Sequence, residues 1–116
     1  MKRELDLIRD ILILLEEDES RDPKTITSED YSEEVVHYNL RLLYKEGFIE
    51  AHSLEGGTRF LPRSLTWDGH NLLADIKDDS VWSKVKENLK RHSGTASIEV
   101  IKAIAATVAK KAIINE

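Results

Sequence analysis

The most informative segment of the sequence is Tyr31-Ser-Glu-Glu-Val-Val-His-Tyr-Asn-Leu-Arg-Leu-Leu-Tyr-Lys-Glu-Gly-Phe-Ile-Glu50. Ser32 is a typical helix N-cap, and the two glutamates after it suit the positive end of a helix dipole. The helix is expected to run to Glu46 with one apolar face. That face consists of Val36, Leu40 and Leu43. Gly47 supplies the left-handed residue that ends many helices, so an extended segment is predicted to start at residue 48.

Two short strands are predicted after this helix, at residues 48–52 and 58–61. The loop between them is Ser53-Leu54-Glu55-Gly56-Gly57, in which the glycines can adopt positive φ. Proline lacks the N–H that the interior of a strand uses, so Pro62 is expected to end the second strand. The pattern predicts a helix followed by an antiparallel β-hairpin.

A strongly apolar helix is predicted before this region, from Glu4 to Glu16, because apolar residues recur there at helical spacing. The order helix, loop, helix, hairpin is that of a winged-helix domain with the hairpin, residues 48–62, as its wing. A generic α+β domain with one hairpin is the alternative. Only Ile26 to Asp30 is available for the short middle helix of such domains, so the helix-turn-helix is predicted to be degenerate.

Three further helices are predicted beyond the hairpin. Thr66 caps the first of them, Asp78-Asp79-Ser80 separates it from the second, and the third runs from Ser97 to Ile113. The inward residues of the first two are Leu72, Leu73, Ile76, Trp82, Val85 and Leu89. The expected fold is therefore α+β and mostly helical, with one domain over residues 1–116. A winged-helix core of residues 1–64 is expected to be covered by a helical extension of residues 65–116.

The last helix has a stripe of small and aliphatic residues that suits close helix packing. The stripe consists of Ile98, Ile101, Ala105, Val108 and Ala112. Burial within the chain is the simpler interpretation. The almost entirely apolar first helix needs cover on two sides, which leaves a homodimer across a two-fold axis as the alternative.

Composition limits the classes of protein to which the chain can belong. The chain has 116 residues, a net charge of −5 and no cysteine, so disulfides, thiolate zinc sites and cysteine nucleophiles are excluded. The N-terminus lacks a secretory signal pattern, and no segment is apolar enough to cross a membrane. We expect a cytoplasmic protein with no membrane contact. The charge is uneven, because residues 1–62 have 8 Lys or Arg against 15 Asp or Glu, whereas residues 63–116 have 9 against 7.

Candidate nucleic-acid contacts fall on two helices and the wing. They are Tyr38, Arg41 and Lys45 on the outward face of the second helix, Arg59 on the wing, and Lys84, Lys86, Lys90 and Arg91 on the fourth helix. Glu34 and Glu55 lie among the first group, so phosphate contacts there are expected to be weak. For the fourth helix, a charged face that only meets solvent is the favoured interpretation.

No catalytic motif is found, so the chain is not predicted to be an enzyme. The four histidines have no spacing that suits a metal, and no cofactor is expected. His37, His52, His70 and His92 are interpreted as ordinary polar or half-buried residues. Trp67 and Trp82 are interpreted as core and interface residues instead of a platform on which bases stack.

Three segments together resemble one known family, the bacterial and phage-borne domain of unknown function 2513. They are Met1 to Glu17, Tyr31 to Glu50 and Leu65-Thr-Trp-Asp-Gly-His-Asn-Leu-Leu-Ala-Asp-Ile-Lys-Asp-Asp-Ser-Val-Trp-Ser-Lys-Val-Lys-Glu87. The resemblance covers nearly the whole chain and implies a small cytoplasmic protein, often from a prophage or other mobile element. The family has no established activity, so the resemblance implies no site residues.

Two functions from different classes remain open. The order of elements favours a DNA-binding or transcription-regulator-like protein. The acidic first half, and the apolar residues Val35 and Leu42 beside the outward face of the second helix, favour a protein-interaction module on the same scaffold.

Overall fold

The chain is an α+β protein that divides into two compact units, Met1–His70 and Asn71–Glu116. The computed structural model describes residues 3–91 and 101–108. The elements are α1 (Leu5–Glu17), α2 (Glu33–Lys45), β1 (Ile49–Leu54), β2 (Arg59–Leu65), α3 (Trp67–Ile76) and α4 (Asp79–Arg91). Residues 101–108 are also helical. The predicted α+β class and the order helix, loop, helix, hairpin are confirmed. The expectation of one domain, in which residues 65–116 pack on a core of residues 1–64, stays a prediction.

The first unit is built on the apolar faces of α1 and α2. Its buried helical residues are Leu7, Ile8, Ile11, Leu12, Leu15, Val36, Leu40 and Leu43. The Ser32 side chain accepts a hydrogen bond from the N–H of Val35 at 3.3 Å, which confirms the predicted N-cap. Gly47 has a φ of +80°, as its position after the helix requires. Residues 18–32, between the two helices, contain no helix, so no element there corresponds to the short middle helix of a helix-turn-helix.

One buried polar side chain ties α1 to α2. Asn39 is fully buried, and its Oδ1 accepts a hydrogen bond from the N–H of Glu4 at 2.9 Å. Its Nδ2 donates to the carbonyl oxygen of Val35 at 2.9 Å. A free N–H at the start of a helix normally needs a partner, so Asn39 satisfies a group that α1 cannot satisfy itself.

The hairpin extends further than the sequence predicted. A 3-10 turn, Glu55–Gly57, joins β1 to β2, and β2 continues to Leu65. Pro62 lies inside β2 opposite Ala51, at an irregularity in the register, so the expectation that it ends the strand is wrong. Its carbonyl oxygen accepts a hydrogen bond from the N–H of Lys24 at 3.1 Å. The polar backbone edge of Pro62 therefore faces away from β1, where a missing N–H costs the hairpin nothing.

The start of α3 is fastened to the end of α2 by one threonine. The N–H of Gly69 donates to Oγ1 of Thr66 at 3.1 Å, as expected for an N-cap. The same hydroxyl donates to the carbonyl oxygen of Gly47 at 2.5 Å, and the N–H of Thr66 donates to the carbonyl oxygen of Phe48 at 3.1 Å. Thr66 thus joins the cap of α3 to the turn that leads into β1.

The Thr66 hydroxyl is expected to stabilise the fold through both of its hydrogen bonds. We expect Thr66→Ala to lower the free energy of unfolding by about 1 to 2 kcal/mol, because it removes the cap and the bond to Gly47 together. Urea denaturation measures this change. Thr66→Ser keeps the hydroxyl and is the control. An equal loss in both variants would mean that the methyl group, and not the hydroxyl, matters.

The second unit contains most of α3, then α4 and the helical residues 101–108. Asp78 caps α4, since its Oδ1 accepts from the N–H groups of Ser80 at 2.9 Å and Val81 at 3.1 Å. The predicted inward residues of these helices are confirmed as buried: Leu72, Leu73, Ile76, Trp82, Val85 and Leu89. Burial raises the pKa of the Asp75 carboxyl, an effect that the nearby cation of Lys102 opposes.

The predicted stripe on the last helix is described only in part. Ile101 and Ala105 are buried, and Val108 is half-buried. Ile98 and Ala112 lie outside the described residues, as do the predicted ends of this helix at Ser97 and Ile113. Packing of the stripe across a two-fold axis therefore stays a prediction.

Of the two tryptophans interpreted as core and interface residues, Trp67 is not a core residue, and a role at an interface stays a prediction. Its side chain is 81% exposed, whereas Trp82 is buried as expected. Trp67 is the first residue of α3, one position after the cap at Thr66, and at that position of the turn the side chain points away from the core.

A helix that crosses a bilayer needs about 20 mostly apolar residues. None of the helices that the structure describes combines that length with that hydrophobicity.

Candidate binding cleft

The first unit has a cleft of about 430 Å³ between the outward face of α2 and the hairpin. Its lining comes from the first three turns of α2 and the loop end of the hairpin. The residues are Glu33, Glu34, His37, Tyr38, Arg41, Glu55, Gly57, Thr58, Arg59 and Phe60. The volume is within the range of small-ligand sites, about 300 to 1,000 Å³. In winged-helix proteins, the corresponding face meets DNA.

His37 holds the two walls of the cleft together. Its imidazole is buried, with 7% exposure, and its Nδ1 accepts a hydrogen bond from the N–H of Phe60 at 3.1 Å. A neutral imidazole that accepts at one nitrogen has its proton on the other. Nε2 therefore bears the hydrogen, and it lies 3.7 Å from Oε1 of Glu33. The position of α2 against β2 depends on this contact.

Arg59 stands between two carboxylates. Its Nη2 lies 3.9 Å from Oε1 of Glu33, and its Nη1 lies 3.9 Å from Oε1 of Glu55. Its Nε is buried and makes no hydrogen bond with any described residue. Exposed ion pairs at this distance contribute little stability, less than about 1 kcal/mol each. Their consequence here is electrostatic, because two negative charges surround the cation of the hairpin.

Negative charge also dominates the approach to α2. Tyr31 comes two residues before the helix, and the pKa of its hydroxyl is raised, first by burial and then by the carboxylates of Glu4, Asp6, Asp30 and Asp10. Residues 1–70 contain 9 Lys or Arg against 16 Asp or Glu. A phosphate or any other additional anion is therefore disfavoured near the N-terminal end of α2.

The structure brings together three of the predicted contact residues. Tyr38, Arg41 and Arg59 line the cleft, whereas Lys45, one turn beyond Arg41 on α2, is exposed outside the lining. Glu34 and Glu55, which the sequence placed among these cations, line the cleft as well. Val35 and Leu42 beside this face are half-buried.

The predicted contacts on the fourth helix belong to the second unit. Lys84 and Lys90 are exposed on α4, and the ammonium of Lys86 lies 5.8 Å from the centre of the Trp82 ring. A cation over an aromatic face is an ordinary stabilising contact. Arg91 is the last residue of α4. Nothing in this arrangement favours a phosphate site over a solvated helix face.

The other histidines do not contribute to the cleft. His52 and His70 are exposed, and His92 lies outside the described residues. Within residues 3–91 and 101–108, no three His, Asp or Glu side chains are grouped in a way that could hold a metal ion.

The sequence did not identify the residues that shape the cleft. From the sequence, His37 is interpreted as an ordinary polar or half-buried residue, and Glu33 and Phe60 are not among the predicted site residues. His37 and Phe60 are 23 positions apart in sequence, so their contact has no local signal. The one available signal was a histidine placed next to the apolar face of a helix, which calls for a partner once it is buried.

The described elements define a small α+β protein with a mixed-charge cleft between a helix and a hairpin. Comparison with known proteins places it in a family: the model described as "Hypothetical protein (DUF2513)" matches residues 2–96. The chain belongs to that family, and the predicted resemblance is confirmed. It is 40% identical over 114 residues to a protein of Haemophilus influenzae whose printed name is "Uncharacterized protein", covering 93% of this chain and 95% of that one. No solved structure matches the chain.

Proposed function

We propose that residues 1–70 form a winged-helix module that binds another protein through the cleft between α2 and the hairpin. The order α1, α2, β1, β2 supports this fold, as does the attachment of the hairpin to α2 through His37 and Phe60. The observation on which the proposal rests is the placement of Arg59 between Glu33 and Glu55, each 3.9 Å away. A wing contacts phosphates through its cations, and the two carboxylates beside this cation weaken its attraction for a phosphate.

DNA binding is the second candidate, and one observation favours it. Arg41 and Lys45 are both exposed on the outward face of α2, where a recognition helix presents its side chains to the major groove. Against this, Glu33 and Glu34 occupy the first turn of the same helix. The N-terminus of a helix is the end that would attract a phosphate, and here it already has carboxylates.

Binding to random duplex DNA separates the two candidates. We expect the protein to bind a short duplex no more tightly than ordinary non-specific binding, roughly 10⁻⁴ to 10⁻⁶ M at physiological salt, because the cleft repels phosphate. Fluorescence anisotropy with a labelled duplex measures this affinity. A dissociation constant of about 10⁻⁶ M or below would make DNA binding the better proposal.

Charge variants test whether the cleft itself excludes DNA. The triple variant Glu33→Gln, Glu34→Gln, Glu55→Gln leaves Arg41 and Arg59 as net positive charge, so it is expected to bind duplex DNA about tenfold more tightly. The matched control is Glu17→Gln, Glu19→Gln, Glu29→Gln. It changes the net charge equally at exposed positions outside the cleft. Equal gains in both variants would show that only total charge matters.

A photo-crosslinking amino acid in place of Tyr38 tests the protein partner directly. Tyr38 is half-buried in the lining of the cleft, so a crosslinker there reaches a bound partner. In cells of the source organism we expect an adduct that is sensitive to protease and resistant to nuclease. A crosslinker at the exposed Thr27 is the control. A nuclease-sensitive adduct specific to position 38 would contradict the proposal.

A further inference from the structure

The carboxylates of the cleft retain most of their capacity to accept hydrogen bonds. The contacts of Glu33 and Glu55 with His37 and Arg59 are 3.7 to 3.9 Å long. Those distances are beyond a hydrogen bond, which needs about 3.2 Å or less. Glu34 is exposed at the same end of the cleft. A ligand with several N–H donors could therefore bind these oxygens without displacing a hydrogen bond of the fold.

The imidazole of His37, which lines the cleft, offers a further donor. His37 is more than nine-tenths buried, and its Nε2 bears the proton because Nδ1 accepts from Phe60. The nearest charged acceptor, Oε1 of Glu33, is 3.7 Å from this nitrogen, so the N–H lacks a well-formed hydrogen bond there. An N–H that makes only a long contact with a carboxylate remains able to donate to a ligand that supplies an acceptor. A carbonyl oxygen of a peptide is a suitable acceptor.

We infer that the cleft binds an arginine or lysine residue within an extended segment of a protein partner. Its cation would lie among the carboxylates of Glu33, Glu34 and Glu55, and a neighbouring main-chain carbonyl would accept from Nε2 of His37. The aliphatic part of the side chain would lie along the ring of Tyr38. The inference rests on the proposed function and specifies the chemistry of the partner.

Charge complementarity selects a basic occupant over an acidic one. Residues 1–70 have 16 acidic against 9 basic side chains, and the carboxylates around Arg59 outnumber it at the hairpin end of the cleft. Arg41 is seven positions after Glu34 on α2, which places it two turns, about 10 Å, further along the helix. The cation of the ligand can thus reach the carboxylates without approaching Arg41. The donor at His37 favours a peptide over a free amine, since a free amine has no carbonyl.

Backbone amide NMR titration tests the inference with three probes. The probes are the tripeptide acetyl-Gly-Arg-Gly-amide, its counterpart acetyl-Gly-Glu-Gly-amide and a short DNA duplex. We expect the arginine peptide to shift resonances of residues 33–38 and 55–60 in a saturable manner, and the glutamate peptide to leave them unchanged. Glu34→Gln should raise the dissociation constant of the arginine peptide by about threefold or more, since it removes one charged partner. Glu29→Gln, an exposed carboxylate outside the cleft, is the matched control.

The outcome of the titration tests the inference separately from the proposed function. Saturable shifts with the arginine peptide, weakened by Glu34→Gln and not by Glu29→Gln, support the inference. Absence of saturable shifts at the cleft, equal effects of the two variants, or tighter binding of the glutamate peptide would overturn it while leaving a protein partner as the proposed function. If duplex DNA shifts the resonances of these residues and neither peptide does, the proposed function is overturned as well.

Discussion

Alanine at position 69 is expected to destabilise the protein more than any other single substitution considered. Gly69 is buried in the first turn of α3, and a Cβ there would overlap the carbonyl oxygen of Phe48 and lie 3.0 Å from its carbonyl carbon. These are backbone atoms, which cannot move aside as a flexible side chain does. We expect the free energy of unfolding measured in urea to fall by about 3 kcal/mol.

The direction of this change opposes intrinsic helix propensity, which makes the test specific. In an unconstrained helix, glycine to alanine stabilises by about 1 kcal/mol. Asn71→Ala, at an exposed position of the same helix, is the control and should be neutral or slightly stabilising. If Gly69→Ala were equally neutral, α3 would not approach the Phe48 carbonyl this closely. A shift in the amide resonance of Thr66, whose N–H donates to that same oxygen, would locate the strain.

The contrast between Gly47 and Gly69 shows how far the sequence predicts the fold. Gly47 follows the last turn of an amphipathic helix, and that local position alone requires a left-handed residue. Gly69 occurs where nothing local demands glycine, since its need arises from a backbone 21 positions earlier in the chain. The prediction that Pro62 ends the second strand was wrong for a similar reason. Proline is excluded only from the paired edge of a strand, and the sequence does not say which edge is paired.

The candidate cleft was predictable only in its parts. The outward face of α2 follows from helical periodicity, so Tyr38 and Arg41 were found, and Arg59 followed from the hairpin. The charges that surround them were not predictable, because the distances between Glu33, Arg59 and Glu55 depend on how the hairpin packs against the helix. His37 determines that arrangement through Phe60. A contact between a helix and a strand leaves no periodic signal in the sequence, whereas each element alone does.

Asn39→Ala is expected to lower the free energy of unfolding by about 2 to 3 kcal/mol. The substitution leaves the N–H of Glu4 without its partner, removes the bond to the Val35 carbonyl and opens a small cavity at a fully buried position. Urea denaturation measures the total. Amide hydrogen exchange in the first turn of α1 should also become faster, because the bond to Asn39 fixes the start of that helix.

Two further variants distinguish the hydrogen bond from Asn39 to α1 from the local effects of substituting a helical asparagine. Asn88 donates its Nδ2 to the carbonyl of Lys84 at 2.9 Å, the same spacing of four residues as in Asn39 and Val35. Asn88→Ala therefore removes a matching local bond and should cost about 0.5 kcal/mol or less. Asn39→Leu fills the cavity but leaves the Glu4 N–H unpaired, so about 1 to 2 kcal/mol of the loss should persist. Full recovery in Asn39→Leu would show that Asn39 matters for volume alone, and the N-terminus of α1 would then need no partner on α2.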